Sequence, residues 1–382
     1  METVRFGVIG LGLMGREFAS AVARWCHLPE MAVRPEIVAI CSRSLSPKVV
    51  DWYTGNFPSI GQVTADYREV IGNPAVEAVY CAVPHNLHEA VYCAVIDAGK
   101  HLLGEKPFGI DRKANDAILA AIARRPGSVI RCSSQYPFFP AVRRLCDMIE
   151  LDAFGTILEV EAGFLHSSDL DPAKPINWKR MIETNGEYGC MGDLGMHVCH
   201  VPFRAGWIPR NVRAILSNVM TERPDSVGKM VPCKTWDNAT LLCEAVDSKS
   251  GAVFPMTLKM QRIAPGEKNT WYLTVLGTKA AARFSTKNPK QLRVFRYTGG
   301  DQAWQEIETG QETAFRSITG GIFEFGFSDA ILQMWAAFLY EMKNGKPLGK
   351  FAGCVTSEET ALSHRLFTAA LKSQERQAVV EV

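Results

Sequence analysis

The chain has 382 residues, of which 47% are hydrophobic and 21% charged, and its 42 basic and 40 acidic side chains leave a formal net charge of +2. This composition excludes a disordered or collagen-like chain, and the length predicts about two globular domains. The balanced charge gives no reason to expect nucleic acid or a membrane as partner, and no apolar run approaches the roughly 18 residues of a membrane span. Because the first residues lack the basic and apolar segments of a signal peptide, we expect a soluble protein.

Short apolar runs alternate with helical patterns in the first third of the chain. Strands are predicted at 4–9, 37–41, 78–83, 101–103 and 129–132, and helices at 15–25, 88–98 and 113–124. Strands that alternate with helices form parallel sheets with right-handed crossovers. This part is therefore predicted to be a doubly wound α/β domain.

The pattern changes in the rest of the chain, where strands follow one another with few helices between them. Strands are predicted at 156–164, 212–220, 239–246, 253–260, 271–277 and 291–297, and helices at 328–344 and 357–374. This succession favours an α+β domain built on a large, mostly antiparallel sheet. The predicted domains are 1–132 and 133–382, with the two closing helices able to pack back towards the first domain.

The eleven cysteines are dispersed, odd in number and never spaced as Cys-x-x-Cys. Disulfide frameworks are typical of short secreted chains. Cys41, Cys81 and Cys132 lie in or beside apolar runs, where a free thiol behaves as a small buried hydrophobe. The pattern favours the reducing cytoplasm.

A glycine-rich loop, Gly10-Leu11-Gly12-Leu13-Met14-Gly15, follows the first predicted strand and opens the first helix. In this setting Gly10 permits the tight turn, Gly12 lets the backbone approach a pyrophosphate, and Gly15 lets helix and strand pack closely. The unpaired amides at the helix start can then bind phosphate. The loop predicts a dinucleotide site; a glycine-rich turn without ligand is the alternative.

The stretch after the second strand contains no carboxylate that could hold the ribose 2′-hydroxyl of NAD. It reads Cys41-Ser42-Arg43-Ser44. Because a guanidinium recognises phosphate oxygens and a hydroxyl adds a donor, Ser42 and Arg43 favour NADP over NAD. The alternative is that Arg43 is a solvated surface charge.

Two further segments carry acid–base chemistry. Glu105-Lys106-Pro107 directly follows a strand, which places Lys106 at the carboxyl edge of the sheet, where doubly wound folds bind ligands. In Gly192-Asp193-Leu194-Gly195-Met196-His197, a helix would put Asp193 and His197 on one face, where the carboxylate can orient a histidine that exchanges protons. A purely structural pair is one alternative. A metal bound by Asp193, His197 and His200 is another, disfavoured because no further ligand cluster accompanies them.

Together these motifs resemble the glucose–fructose oxidoreductase/inositol dehydrogenase (Gfo/Idh/MocA) family. Pro84-His85-Asn86-Leu87-His88 and Ala98-Gly99-Lys100-His101 extend the resemblance, which is weak in the later strands. It implies a two-domain enzyme dependent on NAD(P) that acts on a small carbohydrate or polyol, with Lys106, Asp193 and His197 as catalytic residues. It also implies a homodimer or homotetramer formed through the second-domain sheet.

The motifs and the resemblance together predict the ligand contacts. Cofactor contacts are implied at Gly10, Leu11, Gly12, Met14, Gly15, Ser42, Arg43, Val83, Pro84, His85, His88, Glu105, Lys106 and Gln135. Substrate contacts are implied at Lys106, Tyr136, Trp178, Asp193 and His197; no metal is assigned.

The chain departs from the family at two points. His200 stands where the family often has an aspartate, and the stretch around Gln135 and Tyr136 lacks the family's arginine, which leaves these two side chains as substitutes. Trp178-Lys179-Arg180 resembles the family's substrate-side segment. Trp178 could stack on a sugar face or belong to the core, since tryptophans are highly buried on average.

Three functions are consistent with this pattern. The leading hypothesis is a dehydrogenase in which His197 takes the proton of a secondary ring alcohol while Lys106 stabilises charge on the same oxygen. The second is a glycosidase or epimerase with tightly held NAD(H) and a closed redox cycle. The third is a non-catalytic cofactor sensor, which would not need the acid–base residues.

Overall fold

The computed structural model describes residues Met1–Val382 and divides them into two compact units. The first comprises Met1–Gly109, Lys113–Phe138 and Glu312–Ser357, and the second comprises Ile110–Arg112, Phe139–Gln311 and Glu358–Val382. The segment Glu312–Ser357, which the sequence reading placed in the second domain, is thus part of the first unit.

The elements are numbered in chain order. The strands are β1 (Glu2–Ile9), β2 (Val33–Cys41), β3 (Gln62–Thr64), β4 (Ala78–Cys81), β5 (His101–Gly104), β6 (Ile130–Cys132), β7 (Ile157–Leu165), β8 (Trp207–Ser217), β9 (Glu222–Pro224), β10 (Met230–Pro232), β11 (Asn238–Asp247), β12 (Val253–Gln261), β13 (Thr270–Gly277), β14 (Ala280–Ser285), β15 (Gln291–Arg296), β16 (Gln305–Glu308) and β17 (Val380–Glu381). The helices are α1 (Leu13–Ala23), α2 (Pro47–Asn56), α3 (Tyr67–Gly72), α4 (His88–Asp97), α5 (Arg112–Arg124), α6 (Pro140–Glu150), α7 (Ile182–Asn185), α8 (Cys190–Ala205), α9 (Phe327–Asn344) and α10 (Ser357–Arg376).

The first unit is built on a six-stranded parallel sheet in the order β3-β2-β1-β4-β5-β6. Successive strands are added on one side of β1 as far as β3 and on its other side from β4 onwards, so the order of the strands switches between β1 and β4. Doubly wound folds bind nucleotides at this switch point. The predicted α/β fold is confirmed.

The helix α9 completes the core of the first unit. Its Trp335 ring lies 4.1 Å from the ring of Phe18 on α1, 5.6 Å from Phe6 of β1 and 4.9 Å from Tyr80 of β4. Aromatic pairs at these distances add to the free energy of burying their surface. The late segment is therefore part of the framework that fixes β1 and α1, and with them the loop between these two elements.

The second unit is built on a nine-stranded sheet in the order β16-β15-β14-β13-β7-β12-β11-β8-β17. Only β7 and β12 pair in parallel, and the other neighbours are antiparallel. The predicted large, mostly antiparallel sheet is confirmed. One face packs on α8, whose residues are nearly all buried.

The opposite face of this sheet is less buried. Ile215 and Leu242 on adjacent strands are 61% and 53% exposed. At its centre, Lys259 Nζ donates to Glu161 Oε1 at 2.8 Å, and Tyr272 Oη donates to the same oxygen at 2.8 Å. This face is therefore partly apolar and partly charged. None of the ten helices combines the length and apolarity that a membrane crossing requires.

Candidate functional site

The loop between β1 and α1 forms a cradle that requires glycine at Gly10 and Gly15. Gly10 has φ +101°, and a Cβ there would lie 2.3 Å from the carbonyl oxygen of Ala82. A Cβ on Gly15 would lie 2.2 Å from the carbonyl oxygen of Gly10, so this glycine lets α1 pack onto the loop.

Gly12 differs from its two neighbours, because a Cβ there would meet no atom within 4 Å. Gly12 is the N-cap of α1, and no side chain caps the free amides of this helix. An uncapped helix N-terminus beside open space suits the binding of phosphate. The cradle therefore fits the pyrophosphate of a dinucleotide.

The end of β2 carries the residues predicted to read the ribose. Ser42 is half-buried and its amide donates to the carbonyl oxygen of Thr64 at 3.2 Å, whereas Arg43 is exposed. Asp66 lies just after the neighbouring strand β3, and its carboxylate accepts from the amide of Arg68 at 2.9 Å as the N-cap of α3. The Asp66 carboxylate is thus engaged in capping α3.

The ends of β4 and β5 hold the predicted nicotinamide-side residues in a hydrogen-bonded group. His88 Nε2 lies 3.0 Å from the carbonyl oxygen of Val83, and its ring stacks on Tyr92 at 4.7 Å. Tyr92 Oη donates to the carbonyl oxygen of Glu105 at 2.7 Å, and Tyr80 Oη donates to the Glu105 carboxylate at 2.9 Å. Glu105 is therefore fixed by two tyrosines.

The other predicted site residues of the first unit lie at the same edge of the sheet. Lys106 comes directly after Glu105 and is half-buried, Pro84 and His85 follow β4, and Gln135 and Tyr136 follow β6, where both are buried. The carboxyl ends of β1, β2, β4, β5 and β6 thus bring the predicted first-unit residues to one edge.

The helix α8 carries the second group of predicted residues. Asp193 lies in its first turn and His197 one turn later, with exposed fractions of 1% and 6%. Trp271 Nε1 donates to the carbonyl oxygen of His197 at 2.9 Å. A Cβ on Gly195 would lie 2.3 Å from the Phe367 ring of α10, so the glycine between the two predicted site residues allows these helices to approach.

Asp193 is held by two cations of the second unit. Lys179 Nζ donates to its two carboxylate oxygens at 2.9 and 3.1 Å, and Arg262 Nη1 donates to Oδ2. Arg262 also donates from Nε to Asp169 Oδ2 at 2.8 Å. Arg262 and Asp169 belong to no sequence motif and lie 69 and 24 residues from Asp193 in the chain, so no local signal predicts either residue.

The ion pairs shift the protonation of nearby groups. Burial alone would raise the pKa of Asp169, but Arg262 and Lys174 bring it down to about 2. Burial lowers the pKa of His166 to about 4, with Asp193 acting against this shift and Arg262 and Lys179 adding to it. At neutral pH we therefore expect a carboxylate at Asp169 and a neutral ring at His166.

His200 lies three residues after His197 but is enclosed in the core. It is fully buried, neither ring nitrogen has a hydrogen-bond partner, and burial holds its pKa well below the usual value. A ring that stays neutral in this way is poorly suited to exchange protons with substrate near neutral pH. No group of three or more His, Cys, Asp or Glu side chains is arranged to hold a metal ion.

Trp178 lies in a short turn before α7 and is half-buried. Lys179 Nζ lies 5.5 Å from the centre of its ring. The ammonium that contacts Asp193 is thus also within cation–π distance of the tryptophan predicted to contact substrate.

Comparison with known proteins defines the class. Residues 4–131 match the Gfo/Idh/MocA model, described as an oxidoreductase family with an NAD-binding Rossmann fold. A levoglucosan dehydrogenase of Pseudarthrobacter phenanthrenivorans is 25% identical over 311 residues, covering 77% of this chain and 76% of that protein. A trans-1,2-dihydrobenzene-1,2-diol dehydrogenase of Sus scrofa is 24% identical over 252 residues, covering 65% and 70%.

Solved structures share the whole fold. An oxidoreductase domain protein from Kribbella flavida superposes with a TM-score of 0.89 at 21% identity, covering 100% of both chains. A levoglucosan dehydrogenase in complex with NADH and L-sorbose gives a TM-score of 0.86 at 22% identity, covering 100% of this chain and 99% of the other.

The first unit is thus an NAD-binding Rossmann domain with a glycine cradle at its switch point. Residues 4–131 match the Gfo/Idh/MocA family of oxidoreductases, and the resemblance predicted from the motifs is confirmed. The family match and the dehydrogenase relatives also confirm the prediction that the chain is an oxidoreductase.

Proposed function

We propose that the protein is a dehydrogenase that moves a hydride between a nicotinamide and a secondary alcohol or ketone on the ring of a sugar, sugar derivative or inositol. The observation that carries this proposal is the pair Asp193 and His197, nearly buried and one helical turn apart, on a chain whose other unit has an NAD-binding fold. Relatives named for levoglucosan and for a cyclic diol support ring alcohols as the substrate class.

In the proposed reaction each residue has a separate role. A bound nicotinamide supplies the hydride acceptor. His197 takes the proton of the alcohol, because a neutral imidazole is a suitable base near neutral pH. Lys106 donates a hydrogen bond to the same oxygen and stabilises the charge that develops there. Asp193, whose oxygens accept from Lys179 and Arg262, positions the substrate or Lys106.

The cradle and the edge residues support a set of cofactor and substrate contacts. We propose that the backbone of Gly10, Leu11, Gly12, Met14 and Gly15 holds the pyrophosphate. The nicotinamide side contacts Val83, Pro84, His85, His88, Glu105, Lys106 and Gln135, and the substrate contacts Lys106, Tyr136, Trp178, Asp193 and His197.

We infer a preference for NADP over NAD. The support is Arg43, which is exposed just after β2, together with Ser42 and the engagement of Asp66 in capping α3. A guanidinium at this position can reach a 2′-phosphate, whereas residues 41–44 include no carboxylate for the 2′-hydroxyl.

We also infer a homodimer or homotetramer formed through the open face of the second-unit sheet. The exposed Ile215 and Leu242 on this face favour burial against a second copy. Light scattering of the purified protein tests this, and a monomer at micromolar concentration would contradict it.

The dehydrogenase is tested by mixing the purified protein with NAD or NADP and a panel of inositols, aldoses, glycosides and levoglucosan. Growth of the reduced-nicotinamide absorbance with one substrate is the expected result. A changed sugar product with a bound nicotinamide that is never depleted would instead identify the closed redox cycle. Cofactor binding without any conversion across the panel would favour the sensor.

A further inference from the structure

The backbone of Arg262 is held in place by hydrogen bonds of its own amide and carbonyl groups. It follows β12 directly, and its amide donates to the carbonyl oxygen of Asp237 at 2.9 Å and to Asn238 Oδ1 at 3.1 Å. Its own carbonyl oxygen accepts from the amide of Asp169 at 3.4 Å. Its side chain is only 6% exposed. The backbone from which the guanidinium extends is therefore fixed.

The guanidinium spans two carboxylates. Nε donates to Asp169 Oδ2 at 2.8 Å, and Nη1 donates to Asp193 Oδ2. Asp169 is anchored in turn by Lys174 Nζ at 3.0 Å. Because the donors of a guanidinium have a fixed planar arrangement, holding one carboxylate orients the group towards the other. On its second side, Asp193 is held by Lys179.

A purely structural role does not explain this arrangement well. Desolvating buried charges costs free energy, and replacing a buried ion pair by packed apolar side chains is often neutral or stabilising. Here the chain places the buried guanidinium on a carboxylate in the first turn of α8, one turn before His197.

We propose that Arg262 is a positioning residue for the dehydrogenase reaction, which holds Asp193 charged and in a fixed orientation, with Asp169 as its anchor. This inference rests on the proposed function. It leaves the task of accepting the proton to His197, because a carboxylate bound by Arg262 and Lys179 is a poor proton acceptor. Asp193 then serves to orient its reaction partners.

Substitutions at Arg262 and Asp169 test the inference through kinetics. Arg262→Met should lower kcat by about 10²-fold with a much smaller change in KM, because misplacing a group by about 1 Å has an effect of that size. Arg262→Lys should fall between this variant and wild type, since a single ammonium cannot span both carboxylates. Asp169→Asn should lower kcat less than Arg262→Met. Arg293→Met, which removes an exposed pair with Glu306 on the same sheet, is the matched control and should leave kcat unchanged.

His166 supplies a readout that requires no substrate. The charged groups that act on its ring are Asp193, Arg262 and Lys179. In an NMR titration of the wild-type protein, the His166 ring should titrate near pH 4. Arg262→Met should raise this pKa, because a nearby cation is lost and the Asp193 charge is left less compensated, whereas Asp193→Asn should lower it.

The outcomes separate this inference from the proposed function. A folded Arg262→Met protein with unchanged kcat and an unchanged His166 titration would overturn the inference while the dehydrogenase proposal stands. If Arg262→Met does not fold, Asp169→Asn decides by its kcat, and a folded Asp169→Asn protein with unchanged kcat would overturn the inference. If wild type converts no substrate, the proposed function fails, and the His166 titrations of wild type, Arg262→Met and Asp193→Asn still decide whether Arg262 controls the charge at Asp193.

Discussion

Alanine at Gly12 should separate cofactor binding from folding. A Cβ there would meet no protein atom within 4 Å and the backbone is not left-handed, so the fold should tolerate the change. The new methyl group would fill the space above the uncapped start of α1. We expect this methyl group to displace the pyrophosphate from one backbone amide. A hydrogen bond to a charged group contributes about 1.5–3 kcal/mol, so its loss should raise the dissociation constant of the cofactor roughly 10- to 100-fold.

Two other glycines provide the comparison. Gly61→Ala also meets open space but lies away from the cradle, so its dissociation constant and Tm should match wild type. Gly10→Ala should lower the Tm, because a Cβ would lie 2.3 Å from a backbone oxygen at a φ of +101°. Isothermal titration calorimetry with NAD and NADP, beside thermal unfolding, measures both effects. A Gly12→Ala protein that is folded and binds as tightly as Gly61→Ala would refute the cradle.

Three further changes test the assigned roles. Lys106→Met and His197→Ala should each lower turnover by roughly 10²–10⁴-fold, the usual contribution of acid–base catalysis, and steady-state rates near wild type would remove these roles. Arg43→Ala should weaken NADP binding more than NAD binding, and an equal loss for both would show that Arg43 does not read the 2′-phosphate. His200→Leu should reduce the acid sensitivity of folding. Because burial lowers the folded-state pKa of His200, the wild-type protein loses stability as pH falls below the unfolded value of about 6.5, and the variant should lose less between pH 8 and pH 5. Chemical denaturation at both pH values measures the difference, and an equal decline in variant and wild type would argue against a neutral buried ring.

Much of the first unit could be predicted because its elements are defined locally. The strand predicted at 4–9 and the glycine loop correspond to β1 and the start of α1, where apolar runs and glycine geometry leave few alternatives. The strand predicted at 78–83 ends earlier, at Cys81, before Pro84, which has no amide to donate to a sheet. The helices α2 and α3 were not predicted; their hydrophobic periodicity is weak because few of their residues are buried.

The second unit was harder to predict because tertiary contacts decide its details. The strand β14 begins with three alanines, which are depleted in strands, and pairing with β13 and β15 overrides that preference. Arg262 could not be found because no local pattern marks it; only the sheet brings the end of β12 to the first turn of α8. That Asp193 and His197 share a helix could be predicted because four-residue spacing is itself a helical signal.

Transfer of isotope tests the central claim most directly. Once a substrate is found, it is prepared with deuterium on the carbon that bears the reacting hydroxyl, and the nicotinamide product is analysed by mass spectrometry. If the protein is a dehydrogenase, one deuterium per turnover is recovered in the reduced nicotinamide, and His197→Ala slows its appearance. Deuterium retained in the sugar product or exchanged into water, with none in the released nicotinamide, would contradict net hydride transfer.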